Sequence, residues 1–371
     1  MSAPLCSVVI APRERFDFAP ASYDSLCAHT SCNYPVIYVD SCCPRPWAQR
    51  LDTLADAGKI TLIRTGFHVS QHETFNLALP RIRTKYVVFV DYESLFTPGW
   101  LENLIACAEE NNAAAVMPLL EQNDSLGNWQ IHNCGGNYGV EEKDGQLWYR
   151  EIHHLQGTPV PDDFSRCQTA LVEYHALLVR YEVLQKIGPF DEYYWPALDY
   201  TDFCLMVRAS GGTLWFEPAS VVKHQVFPRV GFRDLAIFMT RWSDRLVRVG
   251  QRRFTEKWGV RFPPSHGLWY RRYRRSMLHP IRDAVGHRFG SVAGKIAYRL
   301  LWPPEALVSR LVQAWSHIPN RRQRLEALGS WRAPELDRVR VQAFADTIFR
   351  SPRPLSREHS VLDDLSAAHT I

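Results

Sequence analysis

The chain has 371 residues, of which 46% are apolar and 22% charged, and its net charge is +4. This length and apolar content exclude a disordered protein and favour one large globular α/β domain with an appendage. No run of 18 apolar residues occurs and no basic leader precedes the first apolar run, so we expect a cytoplasmic protein without a transmembrane helix or signal peptide. Nine cysteines, an odd number scattered along the chain, fit reduced thiols better than a disulfide framework.

Short apolar runs alternate with helical stretches over residues 1–230, a pattern typical of a doubly wound, mostly parallel sheet with crossover helices. The predicted strands are Ser7–Ala11, Val36–Asp40, Ile60–Arg64, Tyr86–Asp91, Ala114–Pro118, Ala176–Arg180, Thr213–Glu217 and Val221–His224. Helix-compatible spacing covers Thr74–Leu79, Trp100–Glu110 and Phe203–Ser210. Polar residues end several strands, which is what a binding site at the carboxyl edge of such a sheet requires.

The fourth predicted strand runs straight into two acidic residues, Asp91 and Glu93. Because they alternate with Tyr92, both carboxylates can point the same way at the strand end. Carboxylates together with substrate phosphates suit Mg²⁺ or Mn²⁺, so we predict a site for a divalent cation and a diphosphate. Capping of the following helix is the alternative explanation for these acids.

A second acidic segment, Asp199-Tyr-Thr-Asp202, precedes a predicted helix. One of its carboxylates can cap that helix, which leaves the other free to act as a general base. His224 ends the last predicted strand, and we expect it to bind metal only if it lies near Asp91 and Glu93.

Basic charge is concentrated in the last third of the chain. Residues 241–330 contain 19 Lys/Arg against 5 Asp/Glu, a local charge of +14, which leaves −10 for the other residues. The spacing of apolar residues predicts an amphipathic helical extension over 231–263. For residues 264–371 we predict a basic helical appendage that is poorly ordered after Pro352. Its basic stripe, Arg271, Arg272, Arg274 and Arg275, can face anionic lipid head groups, with nucleic acid or a solvated helix face as alternatives.

Taken in order, these segments resemble the family 2 glycosyltransferases with the GT-A fold, over about residues 5–260. The resemblance rests on Ser7-Val-Val-Ile10, Ile37-Tyr-Val-Asp40, Asn76, Phe89-Val-Asp-Tyr-Glu93, Thr97-Pro-Gly-Trp-Leu101, Gly188-Pro-Phe-Asp-Glu192, Asp202-Phe-Cys-Leu205 with Arg208, and Val221-Val-Lys-His224.

The resemblance implies a role for each matching position. Asp91-Tyr-Glu93 takes the place of the family's Asp-x-Asp motif. Glu93 would therefore bind the metal directly, and Asp91 would contact either the ribose of the nucleotide or the metal through its bound water. His224 matches a third metal or diphosphate contact. The positions expected to bind the nucleotide are Pro12, Arg13, Asp40, Asn76 and Asp91.

The catalytic base is where this sequence departs from the family. Tyr200 stands at the position of the usual second acid, so Asp199 is the first candidate for the base and Asp202 the second. The resemblance implies a metal-dependent inverting glycosyltransferase that moves a hexosyl or deoxyhexosyl group from a nucleoside-diphosphate sugar. The expected acceptor is a glycan or lipid-linked molecule of polysaccharide biosynthesis, met at the inner face of the cell membrane, and nucleic acid is not an expected partner.

Two alternatives stay open. A nucleotidyltransferase has a similar sheet and also uses a bound metal ion. Its glycine-rich loop after the first strand is missing here, where Ala11-Pro-Arg-Glu-Arg15 stands instead. A catalytically degenerate sugar-nucleotide-binding or scaffold protein would explain the altered base motif. The sequence lacks the motifs of dinucleotide-binding dehydrogenases, P-loop NTPases, serine hydrolases and zincins, which argues against those classes.

Overall fold

A central mixed β-sheet organises the molecule. The computed structural model describes residues 4–30, 34–124, 126–161, 163–195, 197–226, 231–263, 265–315, 319–331 and 338–350. Its strands are β1 (Cys6–Ala11), β2 (Val36–Asp40), β3 (Thr61–Arg64), β4 (Tyr86–Asp91), β5 (Ser94–Phe96), β6 (Ala115–Asn123), β7 (Trp129–Asn133), β8 (Gly136–Lys143), β9 (Gln146–His153), β10 (Cys167–Thr169), β11 (Ala176–Arg180) and β12 (Leu214–His224).

Ten of these strands form the main sheet, in the order β10-β12-β6-β11-β4-β1-β2-β3, with β5 added to β12 and β7 to β6, while β8 and β9 form a separate hairpin. Along that order β1, β2, β3, β4, β6 and β12 run in one direction, whereas β10 and β11 run against it. The predicted α/β class with a mostly parallel sheet of the GT-A type is confirmed.

Helices cover the sheet and make up the carboxy-terminal region, as predicted. They are α1 (Ala19–His29), α2 (Arg45–Asp56), α3 (Gln71–Ala78), α4 (Trp100–Glu110), α5 (Tyr181–Ile187), α6 (Asp199–Ala209), α7 (Leu235–Arg241), α8 (Asp244–Trp258), α9 (Ser265–Arg275), α10 (His279–Phe289), α11 (Ser291–Leu300), α12 (Trp302–Trp315), α13 (Arg321–Ala327) and α14 (Arg338–Arg350). Within the described ranges, every helix is too short or too polar to cross a lipid bilayer.

Most predicted strands are present, with two differences. The segments predicted as two strands near the end of the sheet form the single strand β12, whose pairing with β6 shifts register between Glu217 and Val221. The strands β5 and β7 to β10 were not predicted, because short or half-exposed antiparallel strands carry a weaker apolar pattern than buried parallel ones.

Local capping explains where two helices differ from the prediction. Helix α3 begins at Gln71 instead of Thr74, because Ser70 and Glu73 form a reciprocal capping box. The amphipathic segment Phe232–Trp258 contains two helices, α7 and α8, because the Ser243 side chain accepts a hydrogen bond from the Leu246 amide and starts a new helix.

The carboxy-terminal helices pack against the sheet domain. In α13, Leu325 is buried and the Arg321 guanidinium pairs with Glu73 of α3 at 2.6 Å. Pro280, Pro303 and Pro304 lie in the first turns of α10 and α12, where proline is compatible with a helix. The segment after Pro352, which we expected to be loose, lies outside the described residues.

Candidate active site

Three buried side chains meet at the carboxyl edge of the sheet. Asp91 ends β4, His224 ends β12, and His175 directly precedes β11. Their ligand atoms all lie within 4.8 Å of one another, which makes the trio a candidate metal-binding group. Asp91 Oδ2 is 2.6 Å from His175 Nδ1, yet neither atom, nor His224 Nδ1, has a hydrogen-bond partner among the described residues.

Burial keeps the two histidines of the trio neutral. It lowers the pKa of His175 and of His224 well below the ordinary value, and the nearby Arg13 lowers both pKa values further. Neutral imidazole has the free lone pair that a metal ligand needs. Burial raises the pKa of Asp91, an effect that Arg13 and Arg241 oppose.

A second layer of polar residues supports the trio. His175 Nε2 lies 3.1 Å from His132 Nε2, and His132 Nε2 is also 3.1 Å from a carboxylate oxygen of Glu173. Burial opposes ionisation of Glu173, but the neighbouring His132 outweighs it and lowers the pKa of that carboxyl. Carboxylates behind metal-binding histidines commonly fix the ring orientation, and Glu173 is placed to do this.

Two arginines add positive charge at the same place. Arg13 Nη1 lies 3.5 Å from Asp91 Oδ2, and the Nε atoms of Arg13 and Arg241 are buried without hydrogen-bond partners among the described residues. Arg13 comes from the loop after β1, and Arg241 ends α7. Both guanidinium groups therefore retain unused donors beside the trio, which suits an anionic ligand.

Glu93 lies outside the trio, although it was predicted to bind the metal. One of its carboxylate oxygens accepts hydrogen bonds from the backbone amides of Glu14 and Arg15 at 2.7 and 2.8 Å. The other accepts from the Arg15 guanidinium, which also donates to the carbonyls of Gln225 and Val226. Glu93 thus links the loop after β1 to the end of β12.

The predicted nucleotide contacts have partners of their own. Asp40 accepts from the Cys43 amide at 2.8 Å and from Arg64 at 2.7 Å. The Asn76 amide group is hydrogen-bonded on both sides to the backbone of Phe190, at 2.9 Å in each case. Pro12 is buried in the loop that carries Arg13. Asn76 therefore fixes the segment that leads to α6, and its prediction as a nucleotide contact stays untested.

The two candidate bases differ in their surroundings. Asp202 Oδ1 accepts from Trp258 Nε1 at 2.7 Å, and its Oδ2 accepts from Lys257 Nζ at 2.8 Å. Asp199, in the first turn of α6, accepts only from the adjacent Tyr200 amide within the described region, at 3.0 Å. Both oxygens of Asp202 are thus committed to α8, whereas Asp199 keeps a carboxylate oxygen for another group.

Two further side chains lie beside the acidic start of α6. Glu151 on β9 accepts from the Tyr200 hydroxyl at 2.8 Å and from the Thr201 hydroxyl, which holds the first turn of α6. Burial raises the pKa of Tyr270, and Asp199 and Glu151 raise it further while Arg241 and Arg13 oppose the rise. Tyr270 therefore lies within electrostatic reach of both the acids and the arginines.

The family model described as Glycosyl transferase family 2 matches residues 7–176. The matched segment holds Asp91, Glu173 and His175, whereas Asp199 and His224 follow it. No curated protein shows a significant sequence match to the chain.

Several solved structures resemble this chain. GalNAc-T7, solved with UDP, GalNAc and Mn²⁺, is 15% identical with a TM-score of 0.49. The match covers 68% of this chain and 48% of the GalNAc-T7 chain, so this chain spans about half the length of GalNAc-T7. The mannosyltransferase PcManGT from Pyrobaculum calidifontis, in complex with GDP-Man and Mn²⁺, is 13% identical with a TM-score of 0.46, covering 93% and 87%. TarS 1–349 from S. aureus, in complex with UDP-GlcNAc, is 12% identical with a TM-score of 0.43, covering 68% and 73%.

The sequence did not indicate the place of three residues at the site: His175, Arg241 and Arg15, whose guanidinium group donates to Glu93. His175 precedes an apolar run that we predicted as a strand, but its place at the site depends on β11 running antiparallel to β4. An antiparallel strand starts at the edge where its neighbour ends, so the residue before β11 meets Asp91. The polar triplet Glu173-Tyr-His175 was the available signal, since it directly precedes a fully buried strand.

Proposed function

We propose that this protein is a metal-dependent inverting glycosyltransferase that transfers a hexosyl or deoxyhexosyl group from a nucleoside-diphosphate sugar to an acceptor hydroxyl. The observation that carries the proposal is the buried trio of Asp91, His175 and His224, whose facing atoms lack hydrogen-bond partners in the described part of the chain. It lies at the carboxyl edge of a GT-A sheet, where such sheets bind ligands.

The side chains of the trio fit a divalent cation and favour Mn²⁺ over Mg²⁺. Mg²⁺ prefers an all-oxygen shell, whereas a set of one carboxylate and two neutral imidazoles suits a softer ion. When bound, such an ion would neutralise charge that develops on the departing diphosphate. In this proposal Glu93 does not bind the cation itself but holds the loops that bring Arg13 and His224 to Asp91.

Arg13 and Arg241 would stabilise the leaving group. Arg13 lies 3.5 Å from Asp91, and the Nε atoms of both guanidinium groups are buried without hydrogen-bond partners among the described residues. Fixed donors in a water-poor site stabilise developing negative charge more strongly than water does. Asp40 and Pro12 would line the nucleoside side of the donor, at the ends of β2 and β1.

Asp199 would act as the general base. Its carboxylate would take the proton of the acceptor hydroxyl while that oxygen forms a bond to the anomeric carbon and the bond from this carbon to the diphosphate breaks. Attack from the side opposite the leaving group inverts the anomeric centre. The free oxygen of Asp199 supports this role, and the double engagement of Asp202 supports a structural role for that residue.

The carboxy-terminal helices would complete this catalytic unit. Tyr270 of α9 lies near Asp199 and Arg13, and Arg321 of α13 pairs with Glu73 of α3. The division at 1–230, 231–263 and 264–371 is therefore proposed as three parts of one working unit. We propose synthesis of a cell-surface glycan as the process and a glycan or lipid-linked molecule as the acceptor.

The test is release of nucleoside diphosphate from a panel of UDP-, GDP- and dTDP-sugars with Mn²⁺ or Mg²⁺, with and without simple sugar acceptors. Release that requires metal and is lost in Asp199→Asn supports the proposal. Binding of a sugar nucleotide by folded protein without any release would support the scaffold alternative. Release of pyrophosphate from a nucleoside triphosphate and a sugar phosphate would instead identify a nucleotidyltransferase.

A further inference from the structure

The helices α10, α11 and α12 expose an unusual amount of apolar surface. The outer apolar face is defined here by Phe289, Val292, Ile296, Leu300, Leu307 and Leu311. Phe289 is 69% exposed and Leu300 71% exposed. Single exposed apolar side chains are ordinary on protein surfaces, but a continuous series along neighbouring helices marks an interaction site.

The series follows helical spacing. Val292, Ile296 and Leu300 are four residues apart on α11, so they line one side of that helix. Leu307 and Leu311 repeat this spacing on α12. The opposite side of α12 carries the buried Glu305, which pairs with Arg274 and with Arg275. Helix α12 thus contacts the body of the protein through one side and exposes its apolar residues on the other.

The hairpin of α10 and α11 does not bury its own large side chains. Its helices touch through glycine: a Cβ atom added to Gly294 would lie 3.0 Å from the Gly286 Cα and 2.5 Å from the Arg282 carbonyl oxygen. Gly294 is the one buried residue among those described on the two helices. Isolated short helices are marginal in water, so this hairpin requires a second apolar surface outside itself.

Basic side chains accompany the outer apolar face. Arg288, Lys295, Arg299 and Arg310 are exposed and form no ion pair within the described part of the chain. In contrast, Arg271, Arg274 and Arg275 of the predicted basic stripe pair with Asp244 or Glu305. The positive charge available to a partner therefore lies on α10 to α12, beside exposed apolar side chains.

We propose that the outer apolar face inserts into the interfacial region of an anionic lipid bilayer, with Arg288, Lys295, Arg299 and Arg310 at the level of the head groups. Helices that lie in a membrane surface combine a strip of large apolar side chains with flanking Lys and Arg. The described helices do not cross a bilayer, which fits surface attachment. This inference goes beyond the proposed sugar transfer and does not depend on it.

The experiment is co-sedimentation of the full chain with phosphatidylcholine vesicles that contain or lack phosphatidylglycerol. We expect binding to the anionic vesicles, and a decrease of about tenfold or more in the partition coefficient for the combined variant Phe289→Ser, Ile296→Ser and Leu300→Ser. The combined variant Arg288→Gln, Lys295→Gln and Arg299→Gln should lose the preference for anionic vesicles. Leu126→Ser, a highly exposed leucine in the turn before β7, is the matched control and should bind like wild type.

Two results would overturn the proposal. One is equal partitioning of the apolar variant and wild type. The other is a wild-type dimer in sedimentation velocity that the apolar variant converts to monomer, without lipid binding by either, since the face would then contact a second copy. All variants should release nucleoside diphosphate at the wild-type rate without lipid, so a failure of membrane binding stays distinguishable from a failure of the enzymatic proposal.

Discussion

The Oδ2 atom of Asp91 lies 2.6 Å from the Nδ1 atom of His175, and neither atom has a hydrogen-bond partner among the described residues. Buried polar atoms without partners are uncommon because each loses its hydration. His224 Nδ1 is unpartnered in the same space. Three such atoms facing one another are arranged for a common ligand, which supports the proposal that they bind a cation.

Removing either histidine of the trio should weaken Mn²⁺ binding. We expect His175→Ala and His224→Ala each to lower the affinity by at least about tenfold, because even the outer partners of metal ligands contribute that much. Free Mn²⁺ measured by electron paramagnetic resonance in titrations of the folded protein gives the affinity directly. His29→Ala, at the end of α1, is the control and should bind Mn²⁺ like wild type.

Glu93 is expected to contribute to stability and not to Mn²⁺ binding, in contrast to the two histidines. Glu93→Gln removes the charge that pairs with Arg15 in the interior, so we expect a loss of about 3 kcal/mol in the free energy of unfolding. Urea unfolding followed by circular dichroism measures this loss. The Mn²⁺ affinity of the remaining folded protein should stay within a few-fold of wild type. A stable variant that no longer binds Mn²⁺ would instead support Glu93 as a metal ligand.

Glu151 is expected to position Asp199 without contacting the reacting atoms. Glu151→Ala frees the hydroxyls of Tyr200 and Thr201, so the first turn of α6 loses its attachment to β9. We expect kcat to fall by about tenfold, because a base displaced by a fraction of an ångström transfers protons poorly. The KM for the donor should be nearly unchanged. Glu151→Gln can accept one of these hydrogen bonds through its amide oxygen and donate to the other hydroxyl through its NH2 group, so it should restore most of the activity.

The buried parallel strands and the acids at their ends could be predicted because their signals are local. Tyr86–Asp91 is an apolar run that ends in a carboxylate, and the structure contains that strand with the same bounds. The partners of those acids could not be predicted, because Arg15 reaches Glu93, and His175 reaches Asp91, across 78 and 84 positions of sequence. Such pairings depend on strand direction and on loop course, which an apolar pattern does not encode.

Asp244 should make stability depend on acid pH. Burial opposes its ionisation, but hydrogen bonds from Arg274 and Arg248 outweigh burial and hold the pKa of this carboxyl below its ordinary value of 3.8. Its stabilising contribution is therefore complete above the unfolded-state pKa and is lost as the pH falls below it. Asp244→Asn should lower the melting temperature at pH 7, and the difference from wild type should shrink below about pH 4. Asp56→Asn, an exposed residue of α2, is the control and should show no such convergence.

Substitution of Asp199 should affect catalysis, whereas substitution of Asp202 should affect stability. Asp199→Asn removes the proposed base but no ion pair within the described residues, so we expect kcat to fall by about 100-fold or more with the melting temperature preserved. Asp202→Asn weakens the contacts to Lys257 and Trp258, so it should cost about 1–3 kcal/mol in the free energy of unfolding. Initial rates of nucleoside diphosphate release and thermal unfolding give both quantities for each variant.

Asp199 and Asp202 lie one helical turn apart on α6, and the two substitutions are chemically identical. A difference between the variants in kcat or in stability therefore reports the different roles of the two carboxylates. If Asp202→Asn were inactive yet as stable as wild type, Asp202 would be the base and its contacts with α8 would be dispensable. A bell-shaped pH profile of kcat whose acidic limb disappears in Asp199→Asn would tie the proton transfer to that carboxylate. Loss of activity in Asp199→Asn with donor binding retained separates failed proton transfer from failed binding of the nucleotide sugar.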